Sequence, residues 1–242
     1  MKKIFDAIDS GKTILCVGPM SKNCITAAIE VSNENDIPII LIPSRRQVEC
    51  KALGGGYVMN TEDFVPYVRE RDKKGLVFIE RDHGGPYQGT NEDNLSNFDA
   101  HENAKISYSA DIENGFDIIE IDPSLKNEFP LGDDRNYVLD DLMFLYAHCE
   151  GEACCEEFDM PMNYEFEFEE HSLKKTNIED FQKAIDFIVK TRTKDDIKFL
   201  VGNVGLYVRE MENVGKVDFD LLNTFVQDCE RNNLYFKAHN CD

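Results

Sequence analysis

The sequence contains no apolar run that approaches the roughly 20 residues a membrane-crossing helix needs. Its first ten residues, Met1 to Ser10, include two lysines but no apolar core, and acids interrupt them early. That pattern is not a secretory signal, and a cytoplasmic location is expected. No CxxC pair occurs among the eight cysteines. A structural zinc cluster wants two such knuckles, so reduced thiols are expected even where Cys149, Cys154 and Cys155 gather. No GxGxxG follows the first predicted strand, which argues against a dinucleotide-binding sheet. Cations are also scarce. Against 47 Asp and Glu stand 26 Lys and Arg, a net charge of −21, so neither nucleic acid nor an anionic membrane is expected as a partner.

What is present is an alternation of short β-rich runs with longer helical patterns. Strands are predicted over Thr13–Val17, Ile37–Ile42, Leu76–Arg81, Phe116–Ile121, Tyr164–Glu169, Ile197–Gly202 and Leu234–Ala238. Helices are predicted over Lys22–Glu34, Thr61–Asp72, Ser96–Asn114, Asp133–Glu150, Ile178–Lys190 and Phe219–Asn232, with Thr61 as an N-cap and Gly115 as a stop. Continuous apolar runs such as Ile37-Pro-Ile-Ile-Leu-Ile42 are typical of parallel strands buried on both faces. The order predicts an α/β fold, either an open doubly wound sheet or a (β/α)₈ TIM barrel. Polar residues at the ends of several strands favour the barrel, whose chemistry lies on that rim. The count stops at seven. Residues 1–242 therefore read as a single TIM-barrel domain lacking its eighth βα unit, with exposed edge strands and an oligomer expected.

The third strand delivers Asp82 and His83 to its C-terminal end, where Gly84-Gly85-Pro86 turns the backbone. The fourth ends Ile-Ile-Glu-Ile-Asp-Pro-Ser, placing Asp122 and Ser124 at the same rim. The fifth alternates strictly, so Glu165, Glu167 and Glu169 share one face. The sixth runs out into Asn203, and the seventh brings His239 to the rim. Two histidines among carboxylates make a divalent-metal site. A rim histidine that only hydrogen-bonds, and a wet face on an edge strand, account for the same residues. Arg45 and Arg46 follow the second strand as candidates for an anionic substrate group or as a surface ion-pair set. His101 and His148 read as helix-surface residues.

Several segments carry a resemblance in order along the chain. They are Pro43-Ser-Arg-Arg-Gln-Val48, Gly54-Gly-Gly-Tyr57, Thr61-Glu-Asp-Phe64, Arg81-Asp-His-Gly-Gly-Pro86, Gly115 to Ser124, Tyr164 to Glu170, and Phe236 to Asp242. Together they resemble the tagatose-bisphosphate aldolase Z-type subunit family, which is related to the class II, metal-dependent ketose-bisphosphate aldolases. The resemblance implies a (β/α)₈ barrel that acts on a sugar phosphate. It puts Asp82 in the place of the acid/base carboxylate, His83 and His239 in the places of metal ligands, and Glu165 and Glu167 on the acidic strand as candidates for a further ligand. It implies zinc, polarising a ketose carbonyl. Asp122, Ser124 and Asn203 fall at rim positions available to substrate. The third ligand histidine of those aldolases has no counterpart, because Gly202-Asn-Val-Gly-Leu-Tyr207 contains none. Z-type subunits are themselves regarded as non-catalytic partners of a catalytic aldolase subunit. Three expectations stand together: metal-dependent C–C cleavage of a ketose phosphate, a stabilising subunit for a partner aldolase, and a sugar-phosphate isomerase or epimerase on the same scaffold.

Overall fold

A computed structural model describes residues 1–125, 136–154, 162–167, 175–192, 195–209 and 212–238. The chain divides into two compact units, Met1–Glu120 with Leu145–Met162, and Ile121–Phe144 with Asn163–Asp242.

The first unit opens on helix α1 (Lys2–Asp9), then β1 (Leu15–Val17), α2 (Lys22–Asn35) and β2 (Ile39–Leu41). Two short strands follow, β3 (Val48–Glu49) and β4 (Met59–Asn60), and then α3 (Thr61–Arg71), β5 (Val77–Arg81), α4 (Asn97–Asn114) and β6 (Ile118–Ile121). β1, β2, β5 and β6 pair in that order and always in parallel, with Leu15 opposite Ile39, Ile39 opposite Val77, and Glu80 opposite Ile118. A parallel ladder needs cover on both faces, and β2, β5 and β6 are buried along their whole lengths. The helices add Ile25, Ile29, Phe64, Val68, Ala104 and Ile112 to the core. Each fully buried Ile or Phe among them contributes about 1.5–3 kcal/mol.

Local chemistry sets the helix ends. The Ser21 hydroxyl accepts from the Cys24 N–H at 3.3 Å and starts α2. The Ser96 hydroxyl accepts from the Asp99 N–H at 3.1 Å and starts α4, which ends at Gly115 with φ 89°. Thr61 is not the cap of α3. Asn60 holds that position, and Thr61 is the first helical residue. His101 is not on the surface either, because α4 turns it inward and buries it.

Helix α5 (Asn136–Ala153) is shared between the units. The second unit continues with β7 (Asn163–Phe166), α6 (Ile178–Thr191), β8 (Ile197–Gly202), a hairpin of β9 (Leu206–Arg209) and β10 (Glu212–Gly215), α7 (Phe219–Arg231) and β11 (Tyr235–Ala238). β7, β8 and β11 pair in parallel, with Glu165 opposite Phe199 and Lys237 opposite Val201. The carbonyl of Ile121, where β6 runs into this unit, accepts from the Glu167 N–H at 3.1 Å. Phe181 and Phe225 stack with centroids 4.1 Å apart, and Phe236 closes on both at 5.8 and 5.5 Å.

The seven predicted strands are thus present and parallel, each flanked by helices as an α/β fold requires. α1 and the β9–β10 hairpin are additions that the sequence pattern did not announce. The described cysteines are free thiols. Among the described residues no helix is long and apolar enough to cross a membrane.

Candidate active site

The register of β5 extends to the first candidate residue. The Asp82 N–H donates to the Pro43 carbonyl at 3.2 Å, and Asp82 bridges Ser44 in parallel. The chain then leaves the ladder abruptly. His83 takes φ 48°, a left-handed conformation uncommon for a residue with a side chain, and its N–H donates to the Glu120 carboxylate. The His83 ring Nε2 lies 3.6 Å from Asp82 Oδ2, and the two side chains keep 23% and 18% of their exposure. A proton carrier or a metal ligand needs that combination of fixed backbone and reachable tip. A ring nitrogen of His83 and a carboxylate oxygen of Glu120 also come within 4.8 Å of each other.

Gly84 explains the tightness of this turn. A Cβ there would sit 2.4 Å from the Tyr108 ring, 2.9 Å from Arg81 Cγ and 2.9 Å from the Glu120 carbonyl. The Tyr108 hydroxyl donates to that carbonyl at 3.0 Å, so the ring has nowhere to retreat. Gly84→Ala is expected to cost about 1–3 kcal/mol of overpacking strain, read as a lower urea midpoint with an unchanged slope.

In the second unit Asp122 and Glu167 are buried and bring carboxylate oxygens within 4.8 Å of each other. Like charges this close, out of water, are tolerated when a cation or a proton is shared between them. Asp122 accepts from the Ser124 N–H at 2.9 Å. The Ser124 hydroxyl is buried with no hydrogen-bond partner among the described residues, an opening for a substrate oxygen or a water. Glu165 is fully buried and takes Lys237 Nζ at 2.5 Å. Glu165 and Glu167 are therefore buried, and do not form the wet face of an edge strand. Lys237 was not singled out in the sequence; its signal was the period of two along β11, which sets it opposite in sense to Phe236.

The remaining candidates divide. Asn203 braces its own turn, donating to the Leu206 carbonyl at 3.0 Å and accepting from the Gly205 N–H at 2.7 Å. Arg46 is exposed. Arg45 is fully buried, with Nε on Glu49 at 2.8 Å and Nη2 on Glu92 at 2.6 Å. Burial alone would lower its guanidinium, but Glu49 and Glu92 outweigh burial and hold it above its ordinary value. His239 and Glu169 lie outside the described residues. Glu120 was missed, although Ile-Ile-Glu-Ile-Asp places it two residues before Asp122 on one strand.

No family model matches the sequence, and no curated protein matches it either. Solved structures do. A probable tagatose 6 phosphate kinase from Sinorhizobium meliloti 1021 is similar over 96% of this chain and 59% of its own, with 17% identity and a TM-score of 0.74. The chain shares this fold. The fructose-bisphosphate aldolase from Campylobacter jejuni matches over 98% of this chain and 67% of its own, with 14% identity and a TM-score of 0.63. The YdjI aldolase from Escherichia coli K12 covers 99% and 72%, with 14% identity and a TM-score of 0.55. This chain spans about three-fifths of the length of the first of these structures. At such identities the likeness is one of fold alone.

Proposed function

We propose that this protein is an aldolase-like barrel protein of carbohydrate metabolism that cleaves a C–C bond of a ketose phosphate with the help of a divalent cation. The observation that carries this reading is the Asp82–His83 pair, held at the C-terminal end of β5 with both tips reachable and His83 bonded through its backbone to Glu120. Asp82 accepts the proton of the hydroxyl beside the breaking bond and returns it in the reverse direction. His83 would be a ligand, and the Glu120 carboxylate beside it would supply negative charge for a divalent ion. An imidazole beside a carboxylate within the first unit suits such an ion. When bound, the cation (zinc, by the class II resemblance) polarises the substrate carbonyl. Glu165 orients Lys237, and the Ser124 hydroxyl is available to a substrate oxygen. Arg46, exposed after β2, is the cation proposed to meet the phosphate.

The purified chain is expected to carry about one divalent ion per molecule by elemental analysis, and to lose it in His83→Ala. A wild-type chain without metal, and without retro-aldol activity on a panel of ketose phosphates in added zinc or manganese, sinks this reading. It would leave the second one, a non-catalytic subunit of a partner aldolase. The observation favouring that alternative is Asn203, whose side chain is committed to its own turn and so does not replace the absent histidine of the Gly202–Tyr207 segment.

A further inference from the structure

We infer that Arg45 and Glu92 form a buried clamp that positions the Asp82–His83 turn, so that Arg45 serves the reaction without touching substrate. The inference rests on the aldolase reading of that turn. Its basis is the set of groups that converge on one guanidinium. Nη1 donates to the Gly85 carbonyl at 2.9 Å and to Glu92 Oε2 at 3.0 Å, while Nη2 donates to Glu92 Oε1 at 2.6 Å. Glu92 in turn accepts from the Gly89 N–H at 3.1 Å and from Asn103 on α4 at 3.1 Å. Glu49 fixes the third side of Arg45, and Ser107 of α4 donates to Glu49 at 2.8 Å.

The clamp therefore grips the turn from behind at Gly85, two residues after His83, while Glu120 grips it from the front at the His83 N–H. Between these two fixed points stand the left-handed His83 and the packed Gly84. Residues 84 to 89 are buried although they form no regular element, and Tyr87 and Asn91 also have positive φ. A loop of that kind stays in place only where its surroundings over-determine it. Stability alone is a poor reason for the arrangement. Withdrawing an arginine and two glutamates from water is costly, and apolar residues would fill the volume at less cost. What a two-pronged guanidinium adds is direction, because it fixes a carboxylate and a carbonyl in one plane.

Arg45→Lys keeps the charge and removes the fork; Glu92→Gln keeps the shape and removes the charge. In both variants, hydrogen exchange of residues 82–89 is expected to quicken by about tenfold, with the segments of β1 and α2 at wild-type rates. Turnover is expected to fall by about 100-fold with KM within about twofold, the pattern of a misplaced catalytic group and not of a lost substrate contact. Unchanged exchange in the 82–89 segment overturns the clamp. A raised KM at unchanged kcat also overturns it, since that would make Arg45 a substrate ligand. If Arg45→Lys does not fold, Glu92→Gln carries the same comparison. A wild-type chain without turnover refutes the aldolase reading, whereas the exchange measurement still decides whether the clamp holds the turn.

Discussion

Asp82→Asn is expected to lower turnover of a ketose phosphate by about 10²- to 10⁴-fold, the usual worth of a positioned proton carrier. The change is chosen because it leaves the architecture alone. Asp82 is tied to the ladder through its backbone N–H on Pro43, and its side chain is partly exposed. The amide has the same shape and differs in its inability to take a proton. A urea unfolding curve of the variant checks that the fold is intact. Two measurements separate the possibilities: aldehyde release in a coupled assay, and incorporation of solvent deuterium into the ketose product of cleavage. Loss of both with an intact fold places proton transfer on Asp82. An active enzyme whose Asp82→Asn variant keeps full turnover assigns the proton to another group, with Glu120 the first to try.

The sequence made some of this architecture readable and concealed the rest for definite physical reasons. Strand β5 was legible because Leu76-Val-Phe-Ile is a short apolar run that ends at charged residues and glycines, and the fold places it within one residue of that reading. The end of α4 was legible because Gly115 supplies a left-handed conformation that few residues can. The buried polar network was not. Arg45 and Glu92 are 47 positions apart and Arg81 and Asp111 are 30, so no local period links them. Arginines and acids in a chain of net charge −21 read by default as a solvated surface. Helix α4 shows the cost of that default. Asn103, Ser107 and Asp111 fall four residues apart on one stripe, and all three reach inward to Glu92, Glu49 and Arg81. A polar inward stripe flattens the apolar periodicity, which is why His101 on the same helix was taken for a surface residue. The convergence of Asp82 and His83 was legible for the opposite reason, since adjacent residues at a strand end need no long-range information.

The largest change in stability is expected from Asp111→Asn above about pH 7, about 3–5 kcal/mol, where the carboxylate it removes is the ionised partner of Arg81. Arg81 and Asp111 are both fully buried and joined by two bonds of 2.6 Å, while Arg81 Nη1 also reaches the carbonyls of Pro43 at 3.0 Å and Val48 at 2.7 Å. The two partners respond differently when the other is removed. A guanidinium cannot shed its proton in this pH range, so Asp111→Asn strands a buried cation. A carboxyl can take one up. Burial, the largest influence on Asp111, raises it; Arg81 pulls it down and Glu49 pushes it up again, with the balance at about 6 against an ordinary 3.8. Because the folded value lies above the unfolded one, the folded state binds the extra proton. The Asp111 contribution is then complete below about pH 4 and is lost as pH rises to about 6, a change on the order of 3 kcal/mol. Arg81→Met removes the attraction that restrains Asp111, moving its folded value higher and extending the loss to more alkaline pH. Urea unfolding of wild type and both variants between pH 4 and pH 8 tests this directly. The Arg81→Met deficit should be small near pH 4 and widen towards pH 8. A deficit that stays constant across that range would mean that Asp111 remains ionised throughout and that its pairing with Arg81 outweighs the burial that opposes it.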